Sequence, residues 1–438
     1  MSLAAEAFVA TRPKLSYEAL RSGVVSLIFI SSCYVKFEPA ATDLLACLAV
    51  LMFFRSGLAF SRYLAPFFLL LLIYNLSGLI SYIQIEQDDF QSYQYMVGLA
   101  LTTVSAIFMA GYIAAEPVLR YRQFEKAYWI GATIGAVFGL VSYFKIQPLY
   151  QIFPDFAGRA LGGYKDPNVL STWLVFPVVS MLQAFLIGRL RVSPLSIASF
   201  LAIFMTLFLA FSRGAWVDAG ASCALMIAFT LALAPTLPQK RRVLFATLVS
   251  GGVIAAVLMI LLSVPETQKL FLDRFILVKN YDAGETGRFG NQLNAIPILM
   301  RLPFGLGPYQ YGKIFNLAPH NTFLNAFSSG GWLGGCTYLT LTVVNFYVGF
   351  KNLFTRSPFQ PFAIAIFASF AVMTLQGMQI DTEHWRHLYW MMGVSWGLFA
   401  VNQQMRQRGY SEQDVNAGWS GGKVRDSFDS APRPIEDA

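Results

Sequence analysis

Residues 243–264, VLFATLVSGGVIAAVLMILLSV, follow the basic triplet Lys240, Arg241 and Arg242 and contain no charged residue. A bilayer core of about 30 Å takes roughly 20 apolar residues as a helix, so this stretch reads as a transmembrane span. The rest of the chain has the same character. Hydrophobic residues make up 56% of its 438 residues and charged ones only 13%, where a soluble domain carries about 25% charged residues. The composition predicts an all-α, polytopic integral membrane protein and leaves no room for a sizeable soluble domain.

With that span as the template, twelve apolar runs bounded by charge or turn residues stand out: 20–35, 40–54, 63–83, 94–115, 127–145, 169–188, 193–211, 215–234, 243–264, 331–350, 360–379 and 387–404. The first two are short, and read either as separate helices or as a tilted pair or re-entrant hairpin. Residues 1–402 then form the membrane domain, with a long loop at 265–330 between helices nine and ten, and 403–438 form a polar, disordered cytoplasmic tail. Within the loop, Phe271, Phe275 and Val278 repeat at i, i+4, i+7, the pattern of a helix lying on the membrane surface. Thr286 can cap a second short helix through Arg301, and Pro303, Gly305, Gly307 and Pro308 break the chain before His320.

Basic residues set the orientation. With a cytoplasmic N-terminus, the inner segments hold Arg12, Lys14, Arg21, Arg55, Arg62, Arg120, Arg122, Lys126, Arg189, Arg191, Lys240, Arg241, Arg242, Lys351 and Arg356. The short outer loops hold only Lys36, Lys145, Arg159, Lys165, Arg213 and Arg386. That is the positive-inside bias. It accounts for the net charge of +8 better than a nucleic-acid partner does, because the basic residues are scattered and form no run. Cys33, Cys47, Cys223 and Cys336 fall in apolar runs without ligand spacing and read as small core residues.

The orientation sends five polar clusters to the outer face: GRALGGYKDPNVL (158–170), AFSRGAWVD (210–218), ETGRFGNQLN (285–294), APHNTFLN (318–325) and DTEHWRH (381–387). An isolated Arg213 would read as an interfacial arginine snorkelling to headgroups. Next to Gly214, whose backbone N–H a ligand can approach, it also fits an anion site. Arg159, Lys165, Arg213 and Arg288 together suggest a cationic cup for a diphosphate, since the guanidinium fork matches phosphate oxygens in pairs; lipid headgroups are the simpler occupants. Asp166, Pro167 and Asn168 read first as a turn and helix cap, with Asn168 a candidate for sugar hydroxyls. His320 is either a structural interfacial histidine or a general base taking a proton from a hydroxyl, with Asn321 beside it. Asp381, His384 and His387 share one face if 381–387 is helical; hydrogen-bonded support of the site suits them better than metal ligation, and no metal or other cofactor is expected. The acidic EQD at 86–88 reads as a simple acidic loop.

SRGAW opening a span, PFGLGPYQY, HNTFL and GWLGG, in that order and on one side, resemble the O-antigen ligase and polymerase superfamily of bacterial envelope glycan assembly. The resemblance covers about 155–335. It implies metal-independent, inverting transfer of a glycan from an undecaprenyl-pyrophosphate carrier at the periplasmic face of the inner membrane. Carried over, Arg213 and Arg288 would hold the pyrophosphate and His320 would activate the acceptor hydroxyl, with Arg159, Lys165, Asn168, Gly214, Asn321 and His384 as substrate-binding candidates. One departure is visible: Ser329 stands where the family usually has a glutamate. The partners implied are the lipid-linked saccharide, a glycan or lipid acceptor, membrane lipids and other polysaccharide-assembly proteins.

Polymerisation of lipid-linked repeat units and ligation of a finished chain to lipid A core or protein differ only in acceptor. A transporter for an anionic solute would place broken helices and ionisable groups near mid-membrane, whereas these spans are nearly free of them. A flippase would need basic groups along a through path.

Overall fold

Most helices start at residues whose side chains favour a start. The computed structural model describes residues 16–85, 90–275, 284 and 287–407. Val278, Thr286, the EQD stretch and the chain beyond Gln407 lie outside the described residues. In chain order the helices are α1 (Tyr17–Ser31), α2 (Ala41–Phe53), α3 (Ala65–Tyr82), α4 (Phe90–Ala115), α5 (Pro117–Tyr143), α6 (Pro167–Trp173), α7 (Val175–Leu186), α8 (Pro194–Leu209), α9 (Arg213–Leu233), α10 (Leu237–Leu262), α11 (Pro265–Phe275), α12 (Arg288–Leu299), α13 (Tyr311–Phe315), α14 (Thr322–Leu353), α15 (Gln360–Gln376) and α16 (Arg386–Gln407), with no strand among the described residues. Ser16, Asp166, Ser193, Ser212 and Asn321 each accept a hydrogen bond from the first turn of the helix they precede. Proline at N1 of α6 and α8 leaves no intrahelical bond unmade.

Among the described residues, six helical segments are long and apolar enough to cross a membrane: Arg62–Tyr82, Phe90–Ala115, Pro167–Leu186, Arg213–Leu233, Leu237–Leu262 and Thr322–Leu353. The helices α2, α8 and α15 are apolar but shorter. An all-helical, polytopic membrane protein fits this set. Several helices run past the apolar limits. The helix expected at 127–145 begins at Pro117, the one at 243–264 begins at Leu237, and α16 continues to Gln407, through residues 403–407 of the expected tail. Charged residues at a helix end keep their heads in water while the backbone stays helical. The span expected at 331–350 begins at the Asn321 cap instead. Cys33 is buried as expected, but Cys336 is exposed on α14.

Small residues bring the helices together, as membrane packing favours. A Cβ on Gly393 of α16 would lie 2.5 Å from the Ala106 carbonyl of α4, and one on Gly397 would lie 2.8 Å from that of Ala110. Gly330 and Gly334 of α14 hold the same relation to Ser77 of α3, at 2.6 and 2.8 Å. Aromatic rings fill the interior, among them Phe29, Phe124, Tyr128, Trp173 and Trp390. By contrast α10 exposes Leu244, Phe245, Leu248, Met259 and Ile260, a surface suited to acyl chains.

Inside α14 the helix breaks. Gly331 has φ +62° and ψ −159°, a region essentially reserved for glycine. The break opens a seat for the loop 303–307: Trp332 N–H donates to Pro303 O at 2.9 Å, and Leu306 N–H donates to Ser328 O at 2.7 Å. A side chain on Gly331 would run into Pro303 O and Phe304. The PFGLG and SSGGW stretches are thus two halves of one backbone contact. The helix α11 also docks: Phe271 packs on Trp216 at 5.3 Å and on Phe208 at 5.8 Å, beside the start of α9. Its aromatic face meets protein as well as the surroundings.

Candidate active site

The connection 377–385, between α15 and α16, organises the site. Asp381 accepts from His320 N–H at 3.2 Å through Oδ2 and from Asn321 N–H at 3.0 Å through Oδ1. A carboxylate on the N–H groups before a helix is favourably placed. Thr322 N–H donates to Gly377 O at 2.7 Å, and Thr382 N–H donates to Thr322 Oγ1 at 2.7 Å. From the other side, the Gln292 amide of α12 donates to Pro319 O at 2.9 Å and to His320 O at 3.3 Å. His320 has φ +47°, left-handed for a residue with a side chain, and these bonds hold it there. Asn321 spends its amide on structure: Oδ1 caps Leu324 N–H at 3.0 Å and Nδ2 donates to Met378 O at 3.3 Å.

The expected cations arrive at this same end. Arg288 is the first residue of α12, and its guanidinium donates to Gln379 O at 3.5 Å, close enough for its charge to act on Asp381. Burial pushes the Asp381 carboxyl above the usual carboxylate range and Glu383 adds to the rise, while the two N–H donors and Arg288 oppose it. Arg213 is the first residue of α9. Its neighbour Gly214 faces Gln376, whose Nε2 would lie 2.6 Å from a Cβ there. Because Gln376 ends α15 and Gly377 holds Thr322, the starts of α9 and α14 flank one helix terminus. Arg159 is buried; Nε donates to Ala210 O at 2.7 Å and Nη2 to Asn168 Oδ1 at 2.9 Å, tying the 158–170 loop to the α8–α9 junction. Lys165 pairs with Glu38 at 3.3 Å.

Beside these residues lies a cavity of about 830 Å³, walled by α4, the 309–319 segment and the 381–386 turn. The chain at 381–385 is not helical, since α16 begins at Arg386. Asp381, His384 and His387 therefore share no helical face: two stand on the connection and His387 is buried in α16. Asp381 is drawn out to the His320 clamp, which prevents the turn from winding. His384 Nε2 lies 3.0 Å from Tyr95 O, with its ring 4.1 Å from the Tyr95 ring.

Glu383 is a buried carboxylate that spacing did not mark. It is buried, and its Oε1 accepts from Asn325 Nδ2. Ser329 donates to Asn325 Oδ1 at 3.2 Å, so a carboxylate from the far connection reaches, through one amide, the neighbourhood of Ser329.

Apolar helices that carry arginines, a clamped histidine and an aromatic-lined cavity at one end define a polytopic membrane protein with a polar site in its loop layer. Residues 198–339 match a family model described as O-antigen ligase, which supports the likeness to the O-antigen ligase/polymerase superfamily. The match holds Arg213, Gly214, Arg288, His320 and Asn321, whereas Arg159, Lys165, Asn168 and His384 lie outside it. No curated protein matches the chain.

Proposed function

We propose that the protein is a glycosyltransferase that polymerises undecaprenyl-pyrophosphate-linked repeat units at the periplasmic face of the bacterial inner membrane, in a twelve-span arrangement. One observation carries this reading: Arg213 and Arg288 each open a helix at the bundle end where His320 is clamped. A cation opposes the positive end of a helix dipole. Together, however, a helix N-terminus and a guanidinium fork attract a phosphate from both backbone and side chain.

In the reaction His320 takes the proton of the acceptor hydroxyl, whose oxygen attacks the anomeric carbon as the bond to the pyrophosphate oxygen breaks, inverting that carbon. The negative charge gathers on the departing diphosphate, where Arg213 and Arg288 receive it. Such a leaving group needs no metal to depart. Gly214 lets Gln376 pack against the first turn of α9, and Arg159 with Asn168 braces the α8–α9 junction.

Ligation of a finished glycan to lipid A core or protein is the second reading, favoured by the description of the matching family. The envelope of a deletion strain separates the two: accumulated single repeat units support polymerisation, and accumulated long carrier-linked chains support ligation. A strain with unchanged envelope glycans contradicts both. For the orientation, a membrane-impermeant thiol reagent on intact spheroplasts should label Ala318→Cys and spare Lys351→Cys until lysis. The reverse pattern contradicts a periplasmic site.

A further inference from the structure

The cavity between α4 and the 381–386 turn has a lining that differs in kind from the arginine-bearing helix starts. Its cations are matched within the wall: Lys165 pairs with Glu38 at 3.3 Å, and Arg386 holds Asp43 through two bonds of 2.6 and 2.7 Å. Lys313 also lines it, against two further carboxylates, Asp381 and Glu383. A lining with four carboxylates to three cations, most of them paired, does not attract a diphosphate. Exposed rings stand there instead: Phe90, Tyr93 and Tyr309 are 70%, 57% and 49% exposed. Between them are the amides of Gln91, Gln94 and Asn316. Glu383 adds a carboxylate whose Oε1 is bound by Asn325 while Oε2 is buried without a hydrogen-bond partner. A buried acceptor left unsatisfied is costly, and a hydroxyl is the donor it lacks. The volume of about 830 Å³ lies within the roughly 300–1,000 Å³ of small-ligand pockets.

We infer that this cavity is the acceptor subsite and takes an uncharged saccharide, with Tyr93 and Tyr309 lying against sugar rings and Glu383 accepting a sugar hydroxyl. The inference rests on the transferase reading for the word acceptor, but not for the binding. Pro319 lines the cavity and His320 follows it, so a hydroxyl of a sugar held there comes next to the proposed base.

The test is equilibrium binding without turnover. Uncharged oligosaccharide repeat units, freed from their carrier by mild acid, are titrated into the purified full-length protein in nanodiscs and followed by saturation-transfer NMR. Wild type should bind them, and inorganic pyrophosphate should not displace them. Tyr309→Ala, on an exposed position that leaves the fold intact, and the near-isosteric Glu383→Gln should each weaken binding about tenfold or more. No binding, equal binding in both variants, or displacement by pyrophosphate overturns the subsite. Saccharide binding that is lost in the variants of a protein that transfers nothing sustains the subsite and defeats the transferase reading.

Discussion

Arg120, Arg189 and Arg356 on one side of the helix bundle stand in settings opposite to those of Arg213 and Arg288 on the other. At the end away from the site, Arg120 donates to Gly57 O at 2.5 Å and to Tyr112 O at 3.0 Å. Arg356 donates to Leu233 O at 2.8 Å, and Arg189 grips Glu125 through both carboxylate oxygens. These side chains satisfy carbonyls and a buried acid, where positive charge is locally wanted. At the site end Arg213 and Arg288 begin helices, where positive charge is locally unwelcome. The same residue type is a staple in the first setting and, under the proposed function, an anion receptor in the second; Arg386, which also opens a helix, is held as a staple by Asp43.

That contrast is open to experiment. His320→Ala should cost the most turnover, about 10²–10⁴-fold as for loss of a general base, in a protein that still inserts and elutes as a single species. Arg213→Ala and Arg288→Ala should follow with about 10²–10³-fold, the size of a lost charge-stabilising contact. Arg189→Ala should behave differently. It leaves Glu125 buried and unpaired, a loss of about 3–5 kcal/mol, so the amount of folded protein should fall while activity per folded molecule holds. Equal turnover losses at both ends would erase the distinction.

Smaller effects probe the backbone of the site. Gly331→Ala should destabilise by about 1–3 kcal/mol from its dihedral angles alone, read as a lower midpoint in thermal unfolding, because it also drives a methyl group into the 303–304 backbone. The smallest effect concerns pH. Burial and Glu383 raise the Asp381 carboxyl, so the folded protein holds that proton more tightly than the unfolded chain. The resulting stability is present below the ordinary carboxylate range of about 4 and is lost as the pH rises through the raised folded value. Asp381→Asn should therefore unfold at a temperature that varies less with pH across that window.

Much of this end of the molecule was legible beforehand, for a local reason. Asp166 reads as a helix cap and is one, because capping chemistry acts within three residues; Asn321 caps α14 by the same chemistry, although the apolar run pointed to a start at 331. The polar clusters share an end because spans alternate direction. What stayed hidden depends on contacts distant along the chain. The 303–307 loop completes the break at Gly331 from more than twenty residues away, which no periodicity reports. The 381–387 stretch has helical spacing, but Asp381 is held 60 and 61 positions away by Asn321 and His320, and that tertiary pull overrides the local pattern. Glu383 became visible only once Asn325 and Ser329 were beside it.

The most direct trial of the account is the release of undecaprenyl pyrophosphate from a purified, carrier-linked saccharide donor in the presence of acceptor. Wild type and the folded fraction of Arg189→Ala should release it at similar rates per molecule, while Arg288→Ala and His320→Ala should release almost none. Equal release by all four proteins would contradict it.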